Sequence, residues 1–121
     1  MNWLAWMPLV AASLHLFEEY VWPGGFPDWY RRYKPARAHR LTRGFFLAGN
    51  SLLLGVCCAV GFLRSMPFIR LVWLGLAALL ATNAIWHLIG SLKTRSYSPG
   101  VVTGLVLYVP MAAFGWIQVL R

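Results

Sequence analysis

Four apolar runs divide the chain, each closed by a cluster of charge, proline or glycine. They cover roughly 3–21 (Trp3 to Val21), 45–63 (Phe45 to Leu63), 71–92 (Leu71 to Leu92) and 101–120 (Val101 to Leu120). A helix of about 20 apolar residues crosses the hydrocarbon core of a bilayer. The pattern therefore predicts an all-α polytopic membrane protein, a four-transmembrane-helix bundle forming a single domain over 1–121. Pro8 should bend or tighten the outer half of the first span. Pro23-Gly24-Gly25 and Pro27 end it. The turn from Arg64 to Arg70, with Pro67, allows only an antiparallel return. Pro99 suits the first turn of the last helix, and Pro110 should kink that helix at its middle. Gly49, Gly55, Ala59 and Gly61 give span two a light surface, and Gly100 and Gly104 form a GxxxG pair for close helix contact.

Composition agrees with this pattern. The chain is 60% hydrophobic and 12% charged, with a mean hydropathy of +0.60, outside the range of ordinary soluble domains. No Lys or Arg precedes the first run, so Met1 to Val10 is expected to belong to a mature span and not to a cleaved signal. Adjacent Cys57 and Cys58 have no metal-ligand spacing and cannot form an ordinary disulfide with each other, so they read as small packing residues.

The net charge of +8 would suit nucleic acid, yet the cations lie between the spans, where topology alone requires them. No nucleic-acid partner is expected. The basic loop 23–44 carries Arg31, Arg32, Lys34, Arg37, Arg40 and Arg43 among Trp29, Tyr30 and Tyr33. It could hold anionic headgroups or an acidic substrate, although the positive-inside rule already accounts for it. The first and third loops hold eight of the eleven Lys and Arg residues. Loops 23–44 and 93–100 are then cytoplasmic and both termini lie on the outer side. The bacterial inner (plasma) membrane is the expected location. Trp3, Trp6, Trp73 and Trp116 fall near the outer boundary, and Trp22, Trp29 and Trp86 near the inner one.

That topology gathers the polar residues at one depth. Asp and Glu number three in the whole chain, and two of them are neighbours in His15-Leu16-Phe17-Glu18-Glu19. On a helix Glu18 sits roughly 60° to one side of His15 and Glu19 roughly 40° to the other, so the three heads form a fan. Asn50 on span two, Asn83 and His87 on span three, and Thr103 on span four occupy the same cytoplasmic half; Tyr97 lies in the linker beside them. The outer half offers Asn2, Ser13 and Gln118. Alone, each asparagine would read as interhelical glue, His87 as a buried neutral imidazole, and Thr103 as bonded to its own helix. Together they predict one polar cavity, because ionisable groups inside a bilayer mark function by default.

At His15-Leu16-Phe17-Glu18-Glu19 the sequence resembles the family of small membrane proteins named for its HXXEE motif. Asn50, the Asn83/His87 pair and Tyr97-Ser98-Pro99-Gly100 with Thr103 are similar as well. The resemblance covers nearly the whole chain; it implies a polar site shared across that family and assigns no reaction.

Three chemistries fit these residue types. In the first, His15, His87 and Glu18 or Glu19, or both, bind zinc or iron, and a bound water becomes the nucleophile for a lipid-like substrate in the inner leaflet. An inner-leaflet ester or phosphoester suits this hydrolase, and an oxidase acting on a lipid chain suits iron. In the second, no cofactor is needed: a desolvated glutamate beside a like-charged one exchanges a proton near neutral pH, isomerising or cyclising a terpenoid-like lipid. In the third the protein is no enzyme but an ion-coupled carrier or a subunit of a membrane complex. Membrane lipids are the expected partners, and such short spans would suit a homo-oligomer. The catalytic candidates are His15, Glu18, Glu19 and His87, with Asn50, Asn83, Thr103 and Tyr97 lining the substrate cavity. The first chemistry is taken as the leading expectation.

Overall fold

The computed structural model describes residues 3–121; Asn2, one of the outer-half polar candidates, lies outside them. Among the described residues every regular element is helical. A 3₁₀ turn, Leu4–Trp6, leads into α1 (Met7–Tyr20), followed by α2 (Phe26–Tyr33), a 3₁₀ stretch (Pro35–Arg40), α3 (Arg43–Phe62), α4 (Ile69–Thr94) and α5 (Val101–Leu120). Three of these, α3, α4 and α5, are long and apolar enough to cross a membrane. Large apolar side chains such as Leu47, Leu52, Phe62, Leu71, Leu79, Val106 and Ile117 stay exposed on their outer surfaces, as lipid-facing helices require.

The first apolar run is shorter as an α-helix than its hydropathy suggests. Pro8 stands at the start of α1, where its missing N–H costs no helical bond. The tightening expected there takes the form of the 3₁₀ turn before it. Gly24 ends the segment at φ +72°, its N–H reaching back to the Glu18 carbonyl at 2.9 Å. Pro110 lies just past a π-helical turn, Gly104–Tyr108, which widens the hydrogen-bond ladder of α5 in its first half. A π turn of this kind often marks a functional segment.

The basic loop is not a plain loop. Phe26, Trp29, Tyr30 and Tyr33 recur at helical spacing, and α2 turns this face inward against Phe46 and Trp86. Arg31 fastens the following stretch: its Nε and Nη2 donate to the Leu41 carbonyl at 3.0 and 2.7 Å, and its Nη1 pairs with Asp28 at 3.0 Å. A second apolar core forms there, built on Phe26, Trp29, Leu41 and Phe46.

The main core lies between the long helices. α1 packs on α3, α4 on α5, and α1 closes against the first half of α5. Small residues permit this approach. Gly104 meets Ala84, and Gly61 lies under the Trp6 ring, whereas Gly49 and Gly55 face open space. Only part of the light surface of α3 is therefore used for packing. Cys57 is a buried free thiol in this core and Cys58 is half-buried. Two of the tryptophans expected in boundary belts are interior residues. Trp73 donates its indole N–H to the Leu4 carbonyl at 2.8 Å and covers Gly115, and Trp29 stacks over His87.

Candidate functional site

His15, Glu18, Glu19 and His87 are all buried, with at most 5% exposure. Burial of four such groups is costly unless each finds a partner. α1 carries the first three within one helical turn, and α4 presents His87 opposite them. The linker 95–100 folds over the pair and is held there by its own geometry. Arg95 ends α4 in the left-handed region at φ 49°, and Gly100 turns into α5 at φ +104°.

The two glutamates face different ways. Glu19 Oε1 stands 3.0 Å from His15 Nε2 and 3.0 Å from His87 Nε2. Ligand atoms of these three residues lie within 4.8 Å of one another, a spacing that one metal ion could bridge. Glu18 instead spends its carboxylate on the start of α5. Oε1 accepts from Tyr97 Oη at 2.8 Å and from the Val102 N–H at 3.0 Å; Oε2 accepts from the Thr103 N–H at 3.1 Å and from Thr103 Oγ1 at 2.8 Å. The first N–H groups of a helix have no partner within it and carry the positive end of its dipole, so a carboxylate placed there is stabilised twice. Partial burial and the Glu18 carboxylate push the Tyr97 phenol above its ordinary range, so Tyr97 keeps its proton and donates it.

Hydroxyl groups orient both imidazoles. Because Thr103 Oγ1 gives its proton to Glu18, it accepts from His15 Nδ1–H, 2.9 Å away. The His15 Nε2 lone pair is then turned toward Glu19, with Asn83 Nδ2 3.2 Å from the same nitrogen. His87 Nδ1 shares a hydrogen bond with the buried Ser98 hydroxyl at 2.8 Å. His87 Nε2 is fully buried and close to Glu19, yet misaligned for a hydrogen bond, which leaves it without a partner. The arrangement offers two imidazole nitrogens and one carboxylate oxygen around a point that a cation would fill. Outer-sphere partners on Nδ1 are what metal-binding histidines ordinarily have. The residues present therefore fit a divalent metal of the zinc or iron kind.

A cavity of about 310 Å³ opens beside the cluster, lined by His15 and Glu19, by the two asparagines Asn50 and Asn83, and by apolar side chains including Leu53 and Leu80. Each residue expected at the site thus has a defined place. His15, Glu19 and His87 form the centre, Asn83 touches it, and Asn50 stands across the cavity. Thr103 couples His15 to Glu18, and Tyr97 completes the Glu18 shell. The fan read from helical angles does not converge as a whole, because neighbouring residues diverge by about 100° around a helix.

Ser98, Gly100 and Tyr108 escaped sequence reasoning as site residues. The hydroxyl of Ser98 is silent in a linker whose fold is unknown. Tyr108 lies against His15, ring centroids 4.6 Å apart, with its buried hydroxyl unpaired. Gly100 shows its role only in three dimensions: a Cβ there would come within 2.8 Å of Cε1 of both His15 and His87, and 3.0 Å of Glu19 Cγ. With its left-handed φ, Gly100→Ala should cost about 1–3 kcal/mol from the backbone alone and should push the imidazoles apart. Chemical unfolding in detergent together with a metal-binding titration would check this; an unchanged titration would count against a closed site.

The fold and this cluster define a class: a helical protein, three of whose helices can span a membrane, carrying a buried His/Glu centre on a His-x-x-Glu-Glu motif. The chain belongs to the family described as protein of unknown function with HXXEE motif, which it matches over residues 6–114. It is similar to the uncharacterized protein YrkK of Bacillus subtilis (strain 168), with 30% identity over 106 residues, covering 84% of this chain and 65% of YrkK. The chain thus spans just under two thirds of that relative's length. No solved structure matches it.

Proposed function

We propose that the protein is a metal-dependent membrane enzyme acting on a lipid-like substrate, with His15, Glu19 and His87 as the ligands. The observation that carries this reading is the convergence of their three ligand atoms within 4.8 Å, with His87 Nε2 buried and unpaired. α1, extended by its 3₁₀ turn, serves as a fourth span. Both termini lie outside, and 23–44 and 93–100 lie on the cytoplasmic side of a bacterial inner membrane, as the basic residues dictate. A bound ion supplies Lewis acidity and an acidified water. The chain's own residues do the remainder. Thr103 and Ser98 fix the two imidazoles, Asn50 and Asn83 hold a polar group of the substrate, and the apolar cavity wall excludes bulk water.

The metal-free acid–base reading asks Glu18 and Glu19 to perturb one another, and they are committed to separate partners. That favours the metal reading. Elemental analysis of the full-length protein, purified without chelator, should return about one zinc or iron per chain, the stoichiometry of a single three-ligand site. A metal content at background would sink it.

A further inference from the structure

A second cavity, of about 560 Å³, adjoins the one at the cluster and shares with it the wall made by Tyr20, Phe46 and Asn50. Its own lining adds Pro27, Arg31, Arg43 and Leu47. Through that shared wall the lining of the pair extends from the exposed Arg43 to His15 and Glu19. The mouth of this groove contains two cations, the first of them paired with Asp28.

The chain leaves no carboxylate to neutralise Arg43 there. Of its three acids, Asp28 pairs with Arg31, Glu18 is occupied by four donors and Glu19 belongs to the cluster. Arg31 is fixed in place by the Leu41 carbonyl. Arg43 is exposed and is the first residue of α3, whose helix-dipole positive end therefore lies at the same mouth. A guanidinium held by the Leu41 carbonyl and Asp28, a second one exposed with no acid beside it, and a helix N-terminus together favour an acceptor-rich anion, for which phosphate geometry suits Arg. Beyond the mouth the walls are aromatic and aliphatic, and Asn50 is the polar mark where the two cavities meet.

We infer that this groove binds one anionic membrane phospholipid, its phosphate between Arg31 and Arg43 and its apolar part reaching past Asn50 to the His15–Glu19 cluster. The inference rests on the enzymatic reading above and narrows its substrate class. It also assigns the phosphate a fixed role: a handle at the mouth, with the reacting bond deeper, in the part of the lipid that passes Asn50.

The test is competitive lipid retention on full-length protein in neutral detergent, stripped of metal by chelation. Phosphatidylglycerol and phosphatidylcholine with identical acyl chains are supplied together and the retained lipid is counted by native mass spectrometry. Phosphatidylglycerol should be favoured roughly fivefold or more, and Arg43→Gln should remove roughly fivefold of its retention, the ordinary worth of one cation at a lipid headgroup. Leu47→Trp, which fills the outer cavity from an exposed position, should lower retention of both lipids. The variant Lys93→Gln removes a cation from another loop and should change nothing. Equal retention of the two lipids would overturn the inference, as would an equal loss in the Lys93→Gln variant. Displacement of the lipid by equimolar inorganic phosphate would overturn it too, showing a site for the free ion. Because the lipid test uses metal-free protein, its outcomes are independent of the elemental analysis: lipid selectivity together with background metal in protein purified without chelator would sink only the metal reading, and stoichiometric metal there without lipid selectivity only this one.

Discussion

Replacing His87 with alanine should lower bound zinc or iron from about one equivalent per chain to background, since two remaining ligands do not close a protein metal site. Glu19→Gln should do the same, because an amide oxygen neither carries charge nor balances a cation among buried imidazoles. Glu18→Gln should leave the stoichiometry intact. That contrast between adjacent residues is the sharpest consequence of the geometry, for the motif gives both glutamates the same letter while Glu19 alone lies 3.0 Å from both imidazoles. Thr103→Val should hold metal about 10–100-fold more weakly, the usual cost of losing an outer-sphere partner, and Thr103→Ser should restore it. Metal analysis with the folded state followed by tryptophan fluorescence would report all five variants. Equal loss in Glu18→Gln and Glu19→Gln would mean that both carboxylates serve the ion, contrary to the hydrogen bonds that hold Glu18.

The second large effect concerns stability. Glu18→Leu removes the acceptor for two backbone N–H groups, the Thr103 hydroxyl and the Tyr97 phenol. Buried donors left without an acceptor cost about 1–3 kcal/mol each, and water or Gly100 can rescue some of them; Thr103 Oγ1 already lies 3.4 Å from the Gly100 carbonyl. A net loss of about 2–4 kcal/mol is expected, read as a shift of the unfolding midpoint in mixed detergent. The site should suffer with it, since the His15 proton position depends on Thr103. A variant as stable as the parent would show that α5 holds its own N-terminus and that Glu18 is retained for chemistry.

Much of this arrangement can be read in the sequence, and the failures have clear causes. Hydropathy finds α3, α4 and α5 nearly to their ends, because helices long and apolar enough to cross a membrane need no partner to reveal them. The scarcity of acids isolates His15 and the glutamates, and helical spacing joins Asn83 to His87. What escapes is what depends on direction. The pattern Phe26, Trp29, Tyr30, Tyr33 marks α2 by its spacing, but punctuation at Pro23 to Pro27 and a dense positive charge draw the eye to a loop. Glu18 and Glu19 differ by one step around α1, and only the position of the start of α5 decides which of them meets the imidazoles. Gly100 reads in sequence as half of a GxxxG pair and lies against both histidines in space.

The Glu18 contacts also bear on how the protein is made. Residues that complete the shell of this carboxylate follow it by 79 to 85 positions, and those for Glu19 include His87 on α4. Until the last hairpin is made, Glu19 has only His15 of its own helix and Glu18 lacks all four of its donors. Completion of the final helix is the event that gives the Glu18 carboxylate its donors.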